Sequence, residues 1–84
     1  MNVSSEIEAR LQKAFAPAEL EVENESHKHA GHAGDDGSGE SHFRVRIRAG
    51  AFEGMSRVQR HRAVHKALGD IVPRIHALAL DIGA

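Results

Sequence analysis

The 84-residue chain contains no cysteine, no tryptophan and no tyrosine. The absence of cysteine excludes a thiol nucleophile, a disulfide framework and an iron–sulfur site built from this chain's own thiolates. No segment is apolar over the length that a membrane helix needs, and residues 1–15 lack the basic and apolar regions of a signal peptide. We therefore expect a soluble cytoplasmic protein that makes no membrane contact and folds as one small domain over residues 1–84.

The net charge of −1 conceals an uneven distribution of charge along the chain. Residues 1–41 contain nine acidic and three basic residues, whereas residues 42–66 contain one acidic and seven basic residues. A basic block of this kind is typical of a contact surface for an anionic partner. A solvated face without a partner accounts for it equally well, so composition leaves both interpretations open.

The first part of the chain predicts a helix followed by a strand. Ser5 and Glu8 have the spacing of a capping box, and apolar residues then recur at helical spacing until Pro17 ends the helix. This apolar stripe consists of Ile7, Leu11, Ala14 and Phe15. Beyond the proline, Leu20 and Val22 alternate with glutamates, which indicates a short half-buried strand.

The second half predicts a strand, a helix and a final strand. Apolar residues alternate with three arginines over residues 43–48, so one face of this strand is core and the other is basic. Ser56 and Gln59 form a capping box for the second helix, and Pro73 is expected to end it. Residues 75–82 alternate again as the last strand. The order indicates an α+β fold with helices on one face of a three-stranded sheet.

Residues 25–41 carry no periodicity and several glycines, which predicts a long mobile loop. This loop contains three histidines, His27, His29 and His32. A strand–helix–strand connection normally makes its two strands parallel, so the strand after the loop and the strand at His76 start at the same edge of the sheet. Since the chain has no thiolate, a metal site formed by His76 and a loop histidine is one interpretation of this arrangement.

Each histidine also has a structural interpretation. For His76 the alternative is a buried side chain that hydrogen-bonds to the backbone, and for the loop histidines it is incidental occurrence or Zn²⁺ binding by the loop itself. His42 alternates with the core residue Phe43 and points to the arginine face, so we interpret it as structural or surface-exposed. His61 and His65 have the i, i+4 spacing of a chelating pair, but the arginines beside His61 disfavour a cation and favour a structural role.

Several motifs resemble those of the BolA family. They follow one another at suitable spacing over most of residues 20–80. They are Asn24-Glu-Ser26, Gly39-Glu-Ser-His-Phe43, Phe52-Glu-Gly54, Val58-Gln-Arg-His-Arg62 and Ile75-His-Ala-Leu-Ala-Leu80. The Arg-His-Arg helix and the Ile-His-Ala-Leu strand together are highly specific. The resemblance implies a fold similar to a class II KH domain, with the order α-β-β-α-α-β and a three-stranded mixed sheet.

The resemblance also implies a function. Proteins of this family partner monothiol glutaredoxins and share a [2Fe–2S] cluster with the glutaredoxin and glutathione, in iron–sulfur trafficking or iron sensing. The histidine of the last strand corresponds to His76, and the loop ligand falls on His29, with His32 and His27 as alternatives. We expect the isolated chain to lack the cluster, to bind zinc only adventitiously, and to be a monomer or weak homodimer.

Direct DNA binding, as a transcriptional regulator, is the alternative function. The basic side chains of the second helix would make contact with either the glutaredoxin or the nucleic acid. They are Arg57, Arg60, Arg62 and Lys66. The Gly-x-x-Gly loop of KH nucleic-acid sites is missing before this helix. An enzyme is not expected, because the sequence has no cysteine, no convergent carboxylate pair and no phosphate-loop motif.

Overall fold

The structure is a computed structural model that describes residues 2–26 and 42–84. Two helices pack on one face of a three-stranded sheet. The elements are α1 (Val3–Phe15), β1 (Glu19–Asn24), β2 (His42–Arg48), a 3₁₀ turn (Gly50–Phe52), α2 (Arg57–Leu68), a second 3₁₀ turn (Gly69–Arg74) and β3 (Ala77–Gly83). The predicted α+β fold is confirmed. In the predicted order α-β-β-α-α-β, the short helical element directly after the second strand is the first 3₁₀ turn. The predicted mobile loop lies outside the described residues, apart from Glu25 and Ser26 at its start.

The sheet has the strand order β1-β2-β3 and is mixed. β1 and β2 are antiparallel, with Glu19 opposite Arg48 and Asn24 opposite Phe43. β2 and β3 are parallel, with His42 opposite Ala77. The parallel pairing predicted for the last two strands is therefore confirmed, and both strands begin at the same edge of the sheet.

The core lies between the sheet and the two helices. Its largest fully buried side chains come from every layer, and they are Phe43, Phe52, Ile7, Leu11, Ile47, Leu68, Ile71, Val45 and Val64. The predicted stripe of α1 is confirmed at Ile7 and Leu11 but is wrong at Ala14, which is exposed. Val3 is buried one turn before Ile7, so the buried face of α1 is displaced toward its N-terminus.

The helix ends account for two differences from the sequence prediction. α1 is capped by Asn2, whose Oδ1 accepts a hydrogen bond of 2.8 Å from the Ser5 amide, so the capping box predicted at Ser5 is wrong. The box of Ser56 and Gln59 is confirmed, with bonds in both directions. α2 ends before Gly69, whose φ of +52° is a conformation that favours glycine, and Pro73 lies within the following 3₁₀ turn.

Four charged side chains join α1 to the 3₁₀ turn that precedes β3. Arg74 donates two hydrogen bonds to the Glu6 carboxylate, at 2.8 and 3.2 Å, and Arg10 lies 2.8 Å from an oxygen of Asp70. The bond from Arg74 lowers the pKa of Glu6, and the bond from Arg10 lowers the pKa of Asp70. These pairs fix the segment that leads to β3 against the first helix.

Replacement of Arg74 by glutamine should lower the Tm by a few degrees at neutral pH, because two carboxylates lose a partner. The folded-state pKa values of Glu6 and Asp70 lie below their ordinary values of 4.5 and 3.8. Their pairing therefore stabilises the fold above those ordinary values, and this contribution is lost as the pH falls through the lowered pKa values.

Thermal melts between about pH 7 and about pH 2.5 measure this difference, with Lys13→Gln as a control that removes the same charge from an exposed position. The melting curves of wild type and Arg74→Gln should converge in acid. A Tm difference that stays constant over the whole range contradicts the assignment to these carboxylates.

Candidate metal site and basic helix

The start of the parallel strand pair brings together three positions that are distant in the sequence. His42 is the first residue of β2, and its neighbour in the register, Ala77, directly follows His76. Ser26, at the other end of the loop, contacts the His42 backbone. The two ends of the loop and His76 therefore meet at one edge of the sheet, as the strand topology predicted.

Hydrogen bonds hold the two ends of the loop together. Ser26 is only 3 % exposed, and its Oγ accepts a hydrogen bond of 3.0 Å from the His42 amide. The amide of Glu25 donates to the His42 carbonyl at 2.8 Å, and the amide of Ser26 donates to Oδ1 of Asn24 at 2.9 Å. Whatever conformation residues 27–41 adopt, the segment begins and ends beside a fixed His42 backbone.

The imidazole rings of His42 and His76 form a close pair. Their centroids are 5.1 Å apart, and their planes are inclined by 50°. His42 is 6 % exposed, whereas His76 is exposed to solvent. Of the two interpretations given for His42, the structural one agrees with its burial and the surface-exposed one is wrong. The alternating pattern of β2 predicted exposure, but the loop end at Ser26 and the ring of His76, both remote in sequence, cover this end of the strand.

The predicted loop ligands His27, His29 and His32 lie outside the described residues, so their roles stay predictions. Within residues 2–26 and 42–84, no group of three or more metal-ligating side chains occurs. The described part of the site thus offers two imidazoles, which are neutral nitrogen donors suited to zinc and to iron–sulfur irons. Ligands beyond these two must come from the loop, from solvent or from a partner.

The arginine face of β2 is largely neutralised by its neighbouring strands. Arg46 lies 3.1 Å from Glu19 of β1, and Arg48 lies 2.9 Å from Asp81 of β3. Arg44 stands opposite Glu23 in the register. The sequence predicted the row of arginines correctly, but the register adds acidic partners on both sides. The sheet face is therefore a mixed ion-pair surface rather than a basic patch.

The densest positive charge of the described residues lies on α2. This helix carries four basic residues and two histidines but no acidic residue. Arg57, Arg62 and Lys66 are exposed, and Arg60 is half-buried, with its Nε donating to the Met55 carbonyl at 3.1 Å. Arg57 and Arg60 also line a groove between the start of α2 and β3.

An apolar side chain interrupts the basic surface of α2. Val58 is 58 % exposed and is the exposed large hydrophobic residue of the described part of the chain. Its neighbours on the helix surface are Arg57, His61, Arg62 and His65, and together they line a shallow depression. An exposed valine among cationic side chains is a combination that protein interfaces use, with an apolar centre and a charged rim.

No helix among the described residues has the length and apolarity that crossing a membrane requires.

Comparisons with known proteins agree on one family. The family model described as BolA-like protein matches residues 11–84. A protein of Sinorhizobium sp, described as an uncharacterized protein in the cobS 5′ region, is 52% identical over the whole chain and 92% of its own length. The DNA-binding transcriptional regulator BolA of Haemophilus influenzae is 39% identical, with 98% of this chain and 77% of that protein covered.

Solved structures agree with the sequence comparisons. BolA1 from Arabidopsis thaliana superimposes with a TM-score of 0.87 at 41% identity, and the match covers 99% of this chain and 92% of that one.

Proposed function

Since the chain belongs to the BolA-like protein family, we propose that it is an adaptor that binds a monothiol glutaredoxin and shares a [2Fe–2S] cluster with it. The observation that carries the proposal is the position of His76. This exposed imidazole lies at the sheet edge where both ends of the histidine-containing loop are held together. The cluster is cargo that this chain receives or passes on, in iron–sulfur trafficking or iron sensing.

The donor set supports a shared site rather than a site within this chain. A [2Fe–2S] cluster needs four ligands, and the chain has no cysteine to provide a thiolate. His76 and one loop histidine would provide two neutral nitrogen ligands, and His29 is the preferred loop candidate, with His32 and His27 as alternatives. The other two ligands would be thiolates, one from a glutaredoxin cysteine and one from glutathione.

Imidazole ligands give the shared site a chemistry that a thiolate site lacks. Replacing two thiolates by two neutral imidazoles makes the bound cluster less negative and raises its reduction potential, as in Rieske centres. The basic side chains of α2 would contribute to docking, since Arg57 and Arg62 are exposed beside Val58 and the helix contains no acidic residue. The proposal therefore assigns cluster binding to the sheet edge at His76 and glutaredoxin contact to α2.

The test is to mix the chain with a cluster-loaded monothiol glutaredoxin and to record visible circular dichroism. Exchange of cluster ligands from thiolate to imidazole should change the spectrum, and the two proteins should elute together with the cluster on size exclusion. The cluster-loaded glutaredoxin alone is the control. An unchanged spectrum with separate elution would falsify the proposal.

DNA binding is the second candidate function, and the charge of α2 favours it. Arg57 and Arg60 occupy the N-terminal turns of α2, where the helix dipole disfavours a cation by about 0.3–1 kcal/mol. A nearby anion removes this penalty, and a phosphate backbone offers one. The relative from Haemophilus influenzae is described as a DNA-binding transcriptional regulator. In this hypothesis α2 contacts DNA phosphates.

Under the DNA hypothesis, the double replacement Arg57→Gln and Arg60→Gln should weaken duplex binding. If each arginine contacts a phosphate, the slope of log K against log salt should become shallower by about 2. Fluorescence anisotropy at several salt concentrations measures this slope. The pair Lys13→Gln and Arg44→Gln removes the same charge elsewhere and should retain the wild-type slope. Equal slopes in the α2 variant and the wild type count against DNA binding through this helix.

A further inference from the structure

We propose that His42 and His76 form a binding site for one divalent transition-metal ion of the zinc class in the free chain. This site goes beyond cluster sharing, because it requires neither a glutaredoxin nor glutathione. It uses His76 in a second way and gives a ligand role to His42, which the sequence pattern alone did not indicate. The ion would bind at the sheet edge, between a buried imidazole and an exposed one.

The spacing of the two rings fits a shared metal ion. Zinc binds imidazole nitrogen at about 2.0–2.1 Å and prefers tetrahedral geometry, so two imidazoles on one ion have ring centres about 5 Å apart. The observed separation of the His42 and His76 centroids is 5.1 Å. The planes are inclined by 50°, and rotation about the side-chain torsions of the exposed His76 can bring its nitrogen toward the ion without moving the backbone.

The site is prepared by the fold before any ion binds. The backbone of His42 is fixed at both polar groups, with its amide bonded to Ser26 Oγ and its carbonyl bonded to the Glu25 amide. Parallel pairing of β2 with β3 then sets the distance to His76, since Ala77 stands opposite His42. A rigid first ligand reduces the entropy that metal binding must remove, because only the exposed ring has to be ordered.

The other histidine pair of the described chain provides a contrast. His61 and His65 lie one turn apart on α2, but Arg57 and Arg62 line the same depression. Positive charges at such short range repel a divalent cation. At the sheet edge the amide of Glu25 donates to the carbonyl of His42, so the chain beside that pair carries an acidic rather than a basic residue. Electrostatics therefore selects the pair of His42 and His76 over the pair on α2.

Two protein ligands leave two positions of a tetrahedral zinc ion open for water or another ligand. An ion held there occupies His76, and His76 is the residue that the proposed function assigns to the cluster. Zinc and the shared cluster would then exclude each other. The imidazole of His76 would thus hold a zinc ion in the free chain and the cluster in the glutaredoxin-bound chain.

The experiment is a titration of the full chain with Zn²⁺ alone, followed by isothermal calorimetry and by NMR of the imidazole signals. One equivalent of Zn²⁺ should shift the ring signals of His42 and His76 first. His42→Asn and His76→Asn should each weaken binding by at least tenfold, since even loss of a hydrogen-bonding partner behind a metal ligand costs about 10–100-fold in affinity. The matched control, His61→Asn with His65→Asn, should bind as the wild type does.

Three outcomes overturn the proposal. In the first, His42→Asn keeps wild-type affinity. In the second, only the α2 control loses affinity. In the third, only the triple variant His27→Asn, His29→Asn, His32→Asn loses affinity, which would assign the ion to the loop. If a His42 variant fails to fold, the NMR titration of the wild type still decides the question. The proposal requires the ring signals of His42 and His76 to shift first, and it is wrong if other histidine signals shift before them.

A negative zinc result leaves the cluster proposal intact, because that proposal is tested with glutaredoxin and without zinc. Conversely, an unchanged circular dichroism spectrum with glutaredoxin leaves the zinc site intact.

Discussion

Replacement of His76 by alanine is expected to abolish the change in visible circular dichroism that the wild-type chain produces in a cluster-loaded glutaredoxin. His76 is exposed at the sheet edge, so its truncation removes the proposed ligand without opening a cavity in the core. The measurement is a titration of the glutaredoxin with each variant, recorded in the visible region.

The matched control for His76→Ala is His65→Ala, which removes an exposed imidazole from α2. This control should give the wild-type spectral change, because His65 lies away from the sheet edge. Far-UV circular dichroism should confirm that both variants fold. If His76→Ala changes the glutaredoxin spectrum as the wild type does, the cluster proposal is wrong for this chain.

The same experiment separates ligand binding from protein docking. Docking is assigned to α2, whose basic residues and exposed Val58 are unaffected by a change at His76. His76→Ala should therefore still associate with the glutaredoxin, with a weaker affinity, while giving no imidazole-type spectrum. Size exclusion of the mixture with cluster-free glutaredoxin measures that residual association.

Local periodicity was sufficient to predict the architecture but not the details of its ends. Alternation in β2 and the strand–helix–strand connection to β3 predicted the parallel pair and the meeting of His76 with the loop. The start of α1 was missed because Asn2 and Ser5 both have capping side chains, and the tertiary position of Val3 decides between them. At the other helix, Gly69 ends α2 where sequence reasoning assigned the end to Pro73.

The burial of His42 was missed for one physical reason. A period of two describes the middle of a strand, where neighbours on both sides repeat the pattern. His42 is the first residue of β2, and its burial depends on Ser26 and His76, which are 16 and 34 positions away in sequence. A useful signal was nevertheless present, because the topology that places the start of β3 beside the start of β2 also places His42 beside His76.

The charge pattern of β2 likewise could not be interpreted from local alternation alone. Three arginines in alternation correctly predicted an exposed face, but their partners depend on the register with β1 and β3. Glu19 and Asp81 neutralise Arg46 and Arg48. Among residues 2–26 and 42–84 the most concentrated basic surface is therefore that of α2, which narrows the contact-surface interpretation of the middle of the chain to this helix.

Replacement of Phe52 by alanine is expected to destabilise the fold severely. Phe52 has no exposed surface, and its ring lies 4.7 Å from that of Phe15. It belongs to the 3₁₀ turn between β2 and α2, so the two rings join the end of α1 to the start of the basic helix. Truncation of a buried phenylalanine costs about 3–5 kcal/mol, through lost burial and a residual cavity.

That loss is large for a chain of this size. At roughly 0.05–0.15 kcal/mol per residue, an 84-residue domain has a total stability of about 4–13 kcal/mol. Phe52→Ala should therefore remove much of the free energy of unfolding, and urea denaturation should show a lower midpoint with an unchanged slope. Since the turn leads directly into α2, the variant should also weaken glutaredoxin binding at temperatures where part of the population is unfolded.

Val58→Ala is the matched control, because it also truncates a large apolar side chain near the start of α2 but at a site that is 58 % exposed. Its unfolding free energy should stay within about 0.5 kcal/mol of the wild type. Phe52→Leu, which refills most of the cavity, should recover part of the loss. If Phe52→Ala costs less than about 1 kcal/mol, the surrounding helices collapse into the vacated space, and Phe52 does not anchor α2 as its contacts indicate.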